Sequence, residues 1–192
     1  DLRDWKFILN EQINISRLLE FDEYAEFDEA MFEQIIEGMV KLAVEKIAPC
    51  NEPGDREGCR LEDGHVVTPD CYDDAWKALC ESGWLSATRG PEFGGLGLPH
   101  AISAPAAEAF NAACQAFYMY AGLTTEAAAL IEDYGTQELK ERFIAKMYSG
   151  EWGGTMCLTE PQAGSAVGDL TTSATPTDED HYLIEGNKIF IS

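Results

Sequence analysis

Residues 156–167 read Met-Cys-Leu-Thr-Glu-Pro-Gln-Ala-Gly-Ser-Ala-Val, and the character of the chain changes around them. Upstream, apolar residues recur every three or four positions, as in amphipathic helices; from residue 152 onward, short runs typical of strands follow. Gly164 allows a ligand to approach the backbone closely, and its amide and that of Ser165 can donate to phosphate oxygens. From the residues alone, a ligand loop and an unliganded bend are equally good interpretations.

The first part of the chain predicts one long helix and one loop. Apolar residues at three- and four-residue spacing predict a helix over residues 27–48, which Asp28 caps and Pro49 ends. Residues 51–69 are rich in Gly, Asp and Glu, and they predict an exposed loop with a turn at Asp63-Gly64.

Further helices are predicted up to residue 149. Residues 70–82 return to helical spacing. Residues 101–132 are rich in Ala and have few polar positions, which predicts two buried, packed helices with a break near residues 122–124. Residues 136–149 predict an amphipathic helix that Thr136 caps.

Strands are predicted only after residue 152. The runs 153–159, 170–175, 182–184 and 188–192 have strand character, and residues 178–180 predict a hairpin turn. The fold class is therefore α+β, with an all-helical domain followed by the first strands of a β domain. Because the last run has no turn or cap after it, and the chain does not begin with Met, we expect both ends to be cuts in a longer protein.

The charge excludes several classes of partner. The formal net charge is −22 and the pI is about 4.2, which opposes binding to nucleic acid or to an anionic membrane. No apolar run of about 18 residues is present, so we expect no membrane-spanning helix, and the first residues resemble neither a signal nor a transit peptide. Solubility or a salt-adapted host explains the charge better than docking to a basic redox partner does.

The cysteines do not predict a metal site. No pair has CxxC spacing, and no histidine falls in a zinc pattern with them. We interpret them as reduced and mostly buried small hydrophobic residues of a cytoplasmic protein, rather than as ligands or nucleophiles. The six are Cys50, Cys59, Cys71, Cys80, Cys114 and Cys157.

The opening stretch resembles the flavin-binding signature of acyl-CoA dehydrogenases. That signature runs through Leu-Thr-Glu-Pro, Ala-Gly-Ser and a Thr-x-Ala strand, which match residues 158–161, 163–165 and 172–174. The family's Gly-x-Lys-x-Trp-Ile-Thr pattern is similar to residues 186–192, with Phe190 and Ser192 in place of Trp and Thr.

Upstream motifs extend the resemblance in order from about residue 32. They include the glycine-rich loop Pro-Glu-Phe-Gly-Gly-Leu-Gly at residues 91–97, whose glycines indicate positive φ or close backbone approach. Segments near residues 5–9 and 54–69 resemble the longer bacterial branch that includes the 3-methylmercaptopropionyl-CoA dehydrogenases.

The resemblance implies three regions. Residues 1–30 would be an N-terminal helical extension, residues 31–151 the helical N-terminal domain, and residues 152–192 part of a β-barrel-like middle domain. The family's C-terminal four-helix domain, which carries the glutamate base, is not in this sequence. We therefore expect no catalytic residue in this chain and no activity of this piece alone, and we expect Glu160 to be structural.

The resemblance also implies ligands. FAD would contact Met156, Leu158, Thr159, Gly164, Ser165, Phe190 and Ser192. The acyl-CoA would contact Ser165 and, if they line the acyl pocket rather than pack in the core, Tyr118, Met119 and Gly122. Core packing is the favoured interpretation for these last three.

The function implied is α,β-dehydrogenation of an acyl-CoA thioester in fatty acid metabolism, with hydride transfer to FAD. An electron-transfer flavoprotein would be the redox partner, and the full-length protein would be a homo-oligomer. Two alternatives are an acyl-CoA oxidase and a non-catalytic, DNA-associated member of the same superfamily; the net charge opposes DNA binding by this portion.

Overall fold

A computed structural model of the chain describes residues 2–191. It contains two compact units, Asp1–Gly154 and Thr155–Ser192, which we name the helical unit and the C-terminal unit. The helices of the helical unit are α1 (Leu2–Lys6), α2 (Glu29–Leu42), α3 (Asn51–Glu57), α4 (Cys71–Glu81), α5 (His100–Tyr134) and α6 (Gln137–Tyr148). No helix within residues 2–191 is both long enough and apolar enough to cross a bilayer.

Shorter helical turns and two hairpins complete the architecture. The antiparallel hairpins are β1 (Arg60–Glu62) with β2 (His65–Val67), and β3 (Ser173–Pro176) with β4 (Tyr182–Glu185). The π-helical or 3-10 turns are Phe7–Ile13, Ile15–Glu20, Asp22–Tyr24, Ala43–Ile47, Ala48–Cys50, Pro91–Phe93 and Val167–Asp169. The predicted fold class, helices followed by the first strands of a β domain, is confirmed.

Helix α2 begins where the sequence indicates. The Asp28 side chain accepts a hydrogen bond from the Met31 amide at 2.7 Å, which satisfies one of the free donors of the first turn. Most of the apolar stripe is buried as its spacing predicts, but Ile35 and Val40 are half-buried and Val44 is 61% exposed. Its buried members are Phe32, Ile36, Met39, Ala43 and Ile47.

Replacing the Asp28 cap tests this origin of the helix. Asp28→Ala removes the acceptor for Met31, and we expect the free energy of unfolding to fall by about 1 kcal/mol. Asp28→Asn keeps a side-chain oxygen and should stay within a few tenths of a kcal/mol of the parent. Urea unfolding followed by far-UV circular dichroism measures both; equal losses would contradict the cap.

The predicted loop over residues 51–69 is wrong in part. Helix α3 follows the 3-10 turn Ala48–Cys50 directly, because Pro49 is tolerated in the first turn of a helical segment. The i,i+4 pair Glu52–Arg56 supports α3. The predicted turn is confirmed: Asp63 and Gly64 have φ of 50° and 81°, and they join β1 to β2.

The break in the long apolar stretch lies elsewhere than predicted. Helix α5 is interrupted at Cys114, where φ is −161° and ψ is 94°, and it continues through residues 122–124. The Thr124 hydroxyl donates to the Tyr120 carbonyl at 2.8 Å, and that of Thr125 donates to the Gly122 carbonyl at 2.8 Å. These bonds within the helix satisfy the polar side chains that suggested a break.

The remaining helix predictions are confirmed. Helix α4 lies within the predicted residues 70–82, and in α6 the Thr136 hydroxyl accepts a hydrogen bond from the Leu139 amide at 3.4 Å. The cysteines are free, but fewer are buried than predicted. Cys50 and Cys114 are buried, Cys71 and Cys80 are half-buried, and Cys59 and Cys157 are exposed.

In the C-terminal unit, two of the four predicted strands form. The hairpin β3–β4 surrounds the predicted turn at residues 178–180. Residues 153–159 and the described residues 188–191 are irregular segments without strand ladders, so those two predictions are wrong, and Ser192 lies outside the described residues. A strand needs a partner segment that pairs with its backbone groups along its length. The bond from the Ile189 amide to the Thr159 carbonyl, at 3.0 Å, connects these two segments but does not form a ladder.

Candidate functional site

The bend predicted from the sequence is a closed two-residue loop. Glu160 and Ala163 exchange two backbone hydrogen bonds, each of 3.0 Å, around Pro161 and Gln162. Ala163 is 1% exposed, so the base of the loop is anchored inside the C-terminal unit. Gly164, immediately after the loop, therefore has a defined position.

The Glu160 carboxylate lies at the centre of this arrangement and is 2% exposed. It accepts hydrogen bonds from the Lys188 ammonium (2.8 Å), the Thr171 amide (2.8 Å) and hydroxyl (2.9 Å), and the Thr172 amide (3.0 Å). The Gln162 side-chain amide also donates to it. The Lys188 ammonium, with the donors of Thr171 and Thr172, holds the pKa of this carboxyl well below its usual range. Glu160 is therefore an ionised structural group whose acceptor positions are filled.

Lys188 links the segments 153–159 and 188–191. Its ammonium donates to the Leu158 carbonyl at 2.9 Å as well as to Glu160. The neighbouring Ile189 amide binds the Thr159 carbonyl, so residues 158–160 and 188–189 are held side by side. These partners stabilise the half-buried ammonium, because a charge that is partly withdrawn from water is unfavourable without a partner.

Several predicted flavin contacts form an exposed apolar set. Met156 is 54% exposed, Leu158 43% and Phe190 84%. Phe190 has φ of 57°, in the left-handed region that bulky residues rarely adopt. Thr159 is half-buried beside them in sequence. Ser192, the last predicted contact, lies outside the described residues.

Polar donors lie next to this set in the chain. Gly164 and Ser165 are exposed, and a Cβ built on Gly164 meets no atom within 4 Å. Among residues 2–191, no hydrogen bond joins the Gly164 or Ser165 amide to another backbone atom. Two free amides and one hydroxyl can bind an anionic phosphate, and exposed apolar side chains can cover a planar ring. The residues present fit a ligand that carries both a phosphate group and a planar ring.

The three predicted acyl-pocket residues lie in the helical unit, on α5. Tyr118 is half-buried, its ring centroid is 5.3 Å from that of Phe110, and burial raises the pKa of its phenol. Tyr118 also lines a cavity of about 170 Å³ with Leu85, Arg89, Ala121 and others. Met119 is 43% exposed, and Gly122 has open space where a Cβ would be. Their role in an acyl pocket stays a prediction.

Sequence reasoning missed the partnership of Lys188 with Glu160. Lys188 was recognised only as part of a motif, although it is half-buried and directly precedes Ile189. The available signal was a single cation among apolar residues, which requires a buried anion or carbonyl as partner. The identity of that partner, 28 residues earlier, depends on the tertiary structure.

Comparison with known proteins identifies the family of this chain. The family model described as "Acyl-CoA dehydrogenase, N-terminal domain" matches residues 29–151 of this chain. The chain belongs to the acyl-CoA dehydrogenase family. The resemblance inferred from the sequence motifs is thus confirmed.

Two curated acyl-CoA dehydrogenases match the whole chain. A butyryl-CoA dehydrogenase of Syntrophomonas wolfei is 36% identical over 202 aligned positions, and the 3-methylmercaptopropionyl-CoA dehydrogenase of Ruegeria pomeroyi is 35% identical over 191. The match covers 100% of this chain and 32% of each relative. The chain therefore spans about a third of the length of these relatives.

Solved acyl-CoA dehydrogenase structures share the fold. The acyl-CoA dehydrogenase of Bacillus anthracis, solved in complex with FAD, superimposes with a TM-score of 0.69 at 25% identity. That match covers 86% of this chain and 27% of the other. A structure from Geobacillus kaustophilus gives the same TM-score and identity, and 40% of it is covered.

Proposed function

We propose that this chain is the N-terminal part of an FAD-dependent acyl-CoA dehydrogenase. The observation that carries the proposal is the pairing of exposed apolar side chains with free amide donors at residues 156–165, in a member of this family. When bound, FAD supplies the hydride acceptor for α,β-dehydrogenation of an acyl-CoA thioester.

Each predicted flavin contact has a role in this proposal. The amides of Gly164 and Ser165 and the Ser165 hydroxyl hold the pyrophosphate, and Ser165 also meets the acyl-CoA. The flavin ring system contacts Met156, Leu158 and Thr159. It also contacts Phe190 and Ser192. What supports these roles is exposure: Gly164, Ser165 and Phe190 all present their groups to solvent.

No residue of this chain is proposed as the catalytic base. Glu160 is the one acidic residue of the signature, and its carboxylate already accepts hydrogen bonds from Lys188, Gln162, Thr171 and Thr172. A base needs a free lone pair within reach of the proton that it removes. We propose that the base belongs to a part of the protein outside these 192 residues.

The substrate class follows from the family, and we propose a short acyl chain within it. Two of the relatives that match over the whole chain are named for butyryl-CoA and 3-methylmercaptopropionyl-CoA, which have acyl groups of similar length. A third, from Mycobacterium tuberculosis, is named a broad-specificity linear acyl-CoA dehydrogenase. Tyr118, Met119 and Gly122 are the proposed residues at the acyl end. An electron-transfer flavoprotein is the proposed electron acceptor, and a cytoplasmic homo-oligomer the proposed assembly.

The test is the visible spectrum of the purified full-length protein together with its intact mass. We expect flavin bands that bleach anaerobically on addition of butyryl-CoA or 3-methylmercaptopropionyl-CoA, and more slowly with a long-chain acyl-CoA. Free coenzyme A, which lacks the thioester, is the control and should leave the bands unchanged. A full-length protein that binds no flavin contradicts the proposal, whereas rapid reoxidation of the bleached flavin by air would favour an oxidase.

A further inference from the structure

The ion pair between Lys188 and Glu160 adjoins the proposed flavin contacts in the chain. The side chains are 21% and 1% exposed, and the ammonium and carboxylate are 2.8 Å apart. The second bond of Lys188, to the Leu158 carbonyl, fixes the backbone of a residue that we assign to the flavin site. The pair therefore acts on that site from within the unit.

The carboxylate of the pair binds three other parts of the chain. It binds Lys188 after β4, the amides of Thr171 and Thr172 before β3, and Gln162 in the loop. Gly164 and Ser165 follow this loop directly, and Phe190 follows Lys188 by two residues. Every proposed flavin contact in residues 156–190 is therefore within a few residues of one of these bonds.

The hydrogen bonds of the pair are directed into the protein. All five donors to Glu160 come from the C-terminal unit itself, and the Lys188 ammonium has two acceptors there. Side chains whose polar atoms are used in this way hold other groups in place rather than bind a ligand directly.

We propose that Lys188 and Glu160 are positioning residues that set the affinity for FAD without contacting it. This inference depends on the proposed function, because it assigns a role in flavin binding to the pair. Lys188 holds the Leu158 carbonyl and, through the Ile189 amide, the Thr159 carbonyl at the spacing that the flavin contacts require. Glu160 accepts a hydrogen bond from the Lys188 ammonium and holds it in place.

The pair offers a way to separate positioning from stability. Lys188→Met leaves the Glu160 carboxylate without its counter-charge, which destabilises the fold as well as releasing Leu158. The double variant Glu160→Gln/Lys188→Met contains no unpaired charge, so much of the lost stability should return. The Leu158 carbonyl remains unheld in the double variant, and the flavin affinity should not recover.

The experiment titrates FAD into the apo form of each full-length variant, followed by quenching of flavin fluorescence, with unfolding midpoints measured in parallel. We expect Lys188→Met and the double variant to bind FAD about 10- to 100-fold more weakly, the range seen when residues that orient metal ligands are removed. Lys188→Arg keeps the charge and a donor for the Leu158 carbonyl, and we expect it to bind FAD more tightly than Lys188→Met.

Two control variants lie in the helical unit. Lys41→Met removes an exposed lysine from the last turn of α2 and should leave the affinity unchanged. Ile36→Ala removes a buried side chain that is 4% exposed, so it should lower the unfolding midpoint without changing the affinity. The Ile36→Ala variant therefore shows whether a loss of stability alone weakens FAD binding.

The outcomes distinguish the two proposals. If the parent protein binds no FAD, the proposed function fails and the positioning role fails with it. If the parent binds FAD and Lys188→Met binds it within twofold of the parent, only the positioning role is overturned. The positioning role is also overturned if affinity follows the unfolding midpoint across all variants, including Ile36→Ala and the double variant.

Discussion

Phe110→Ala is expected to lower the free energy of unfolding of the helical unit by about 3–5 kcal/mol. Phe110 is 1% exposed, and its ring packs against Trp84 and Tyr118 at centroid distances of 5.7 and 5.3 Å. Phe110 precedes the interruption of α5 at Cys114 and Tyr118 follows it, so the ring joins the two halves of that helix. Removing it leaves a cavity and breaks this contact.

Phe190→Ala is the matched control, since it removes the same side chain from a position that is 84% exposed. We expect its unfolding free energy to stay within about 0.5 kcal/mol of the parent. Urea unfolding followed by circular dichroism measures both variants. A loss below about 1 kcal/mol for Phe110→Ala would show that the two halves of α5 do not depend on this ring.

Gly95→Ala is expected to lower the free energy of unfolding by about 1–3 kcal/mol or more. Gly95 is buried in the glycine-rich loop, and a Cβ there would collide with the backbone carbonyl oxygens of Arg89 and Ser86. The Arg89 carbonyl also accepts a hydrogen bond from the Gly97 amide at 2.8 Å. Because backbone atoms cannot rotate away as a side chain can, the loop must open and lose such bonds.

Gly38→Ala provides the comparison for Gly95→Ala. Gly38 lies inside α2, and a Cβ built there meets no atom within 4 Å. Alanine is a better helix former than glycine, so this variant should be about 0.5–1 kcal/mol more stable than the parent. We therefore expect differential scanning calorimetry to measure a lower melting temperature for Gly95→Ala and a higher one for Gly38→Ala than for the parent. Two equal shifts would mean that backbone freedom, not close approach, dominates at Gly95.

The features predicted correctly depend on neighbours in sequence. The start of α2 follows from Asp28 and its buried face from three- and four-residue spacing, and α6 follows in the same way from Thr136. In the glycine-rich loop, both expected reasons for glycine are present: Gly94 and Gly97 have φ of 74° and 65°, and Gly95 is in close approach. Caps, periodicity and positive φ are local properties, which explains why they could be predicted.

The features predicted wrongly depend on distant contacts. The interruption of α5 lies at Cys114, whose buried thiol is 3.8 Å from the Tyr72 hydroxyl of α4, and no residue near position 114 indicates it. Residues 153–159 have strand character but lack a ladder. A strand is a property of a pair of segments, so composition alone could not decide its formation.

The sequence by itself determined the class of fold, the ends of the well-patterned helices and the motif that indicates flavin chemistry. Side-chain type and spacing carry that information, because helix caps, apolar stripes and ligand loops involve residues within a few positions of each other. Only the tertiary structure decided that Lys188 reaches back 28 residues to Glu160 and Leu158. An ammonium removed from water must have partners, but which carboxylate and carbonyl supply them depends on how the chain folds.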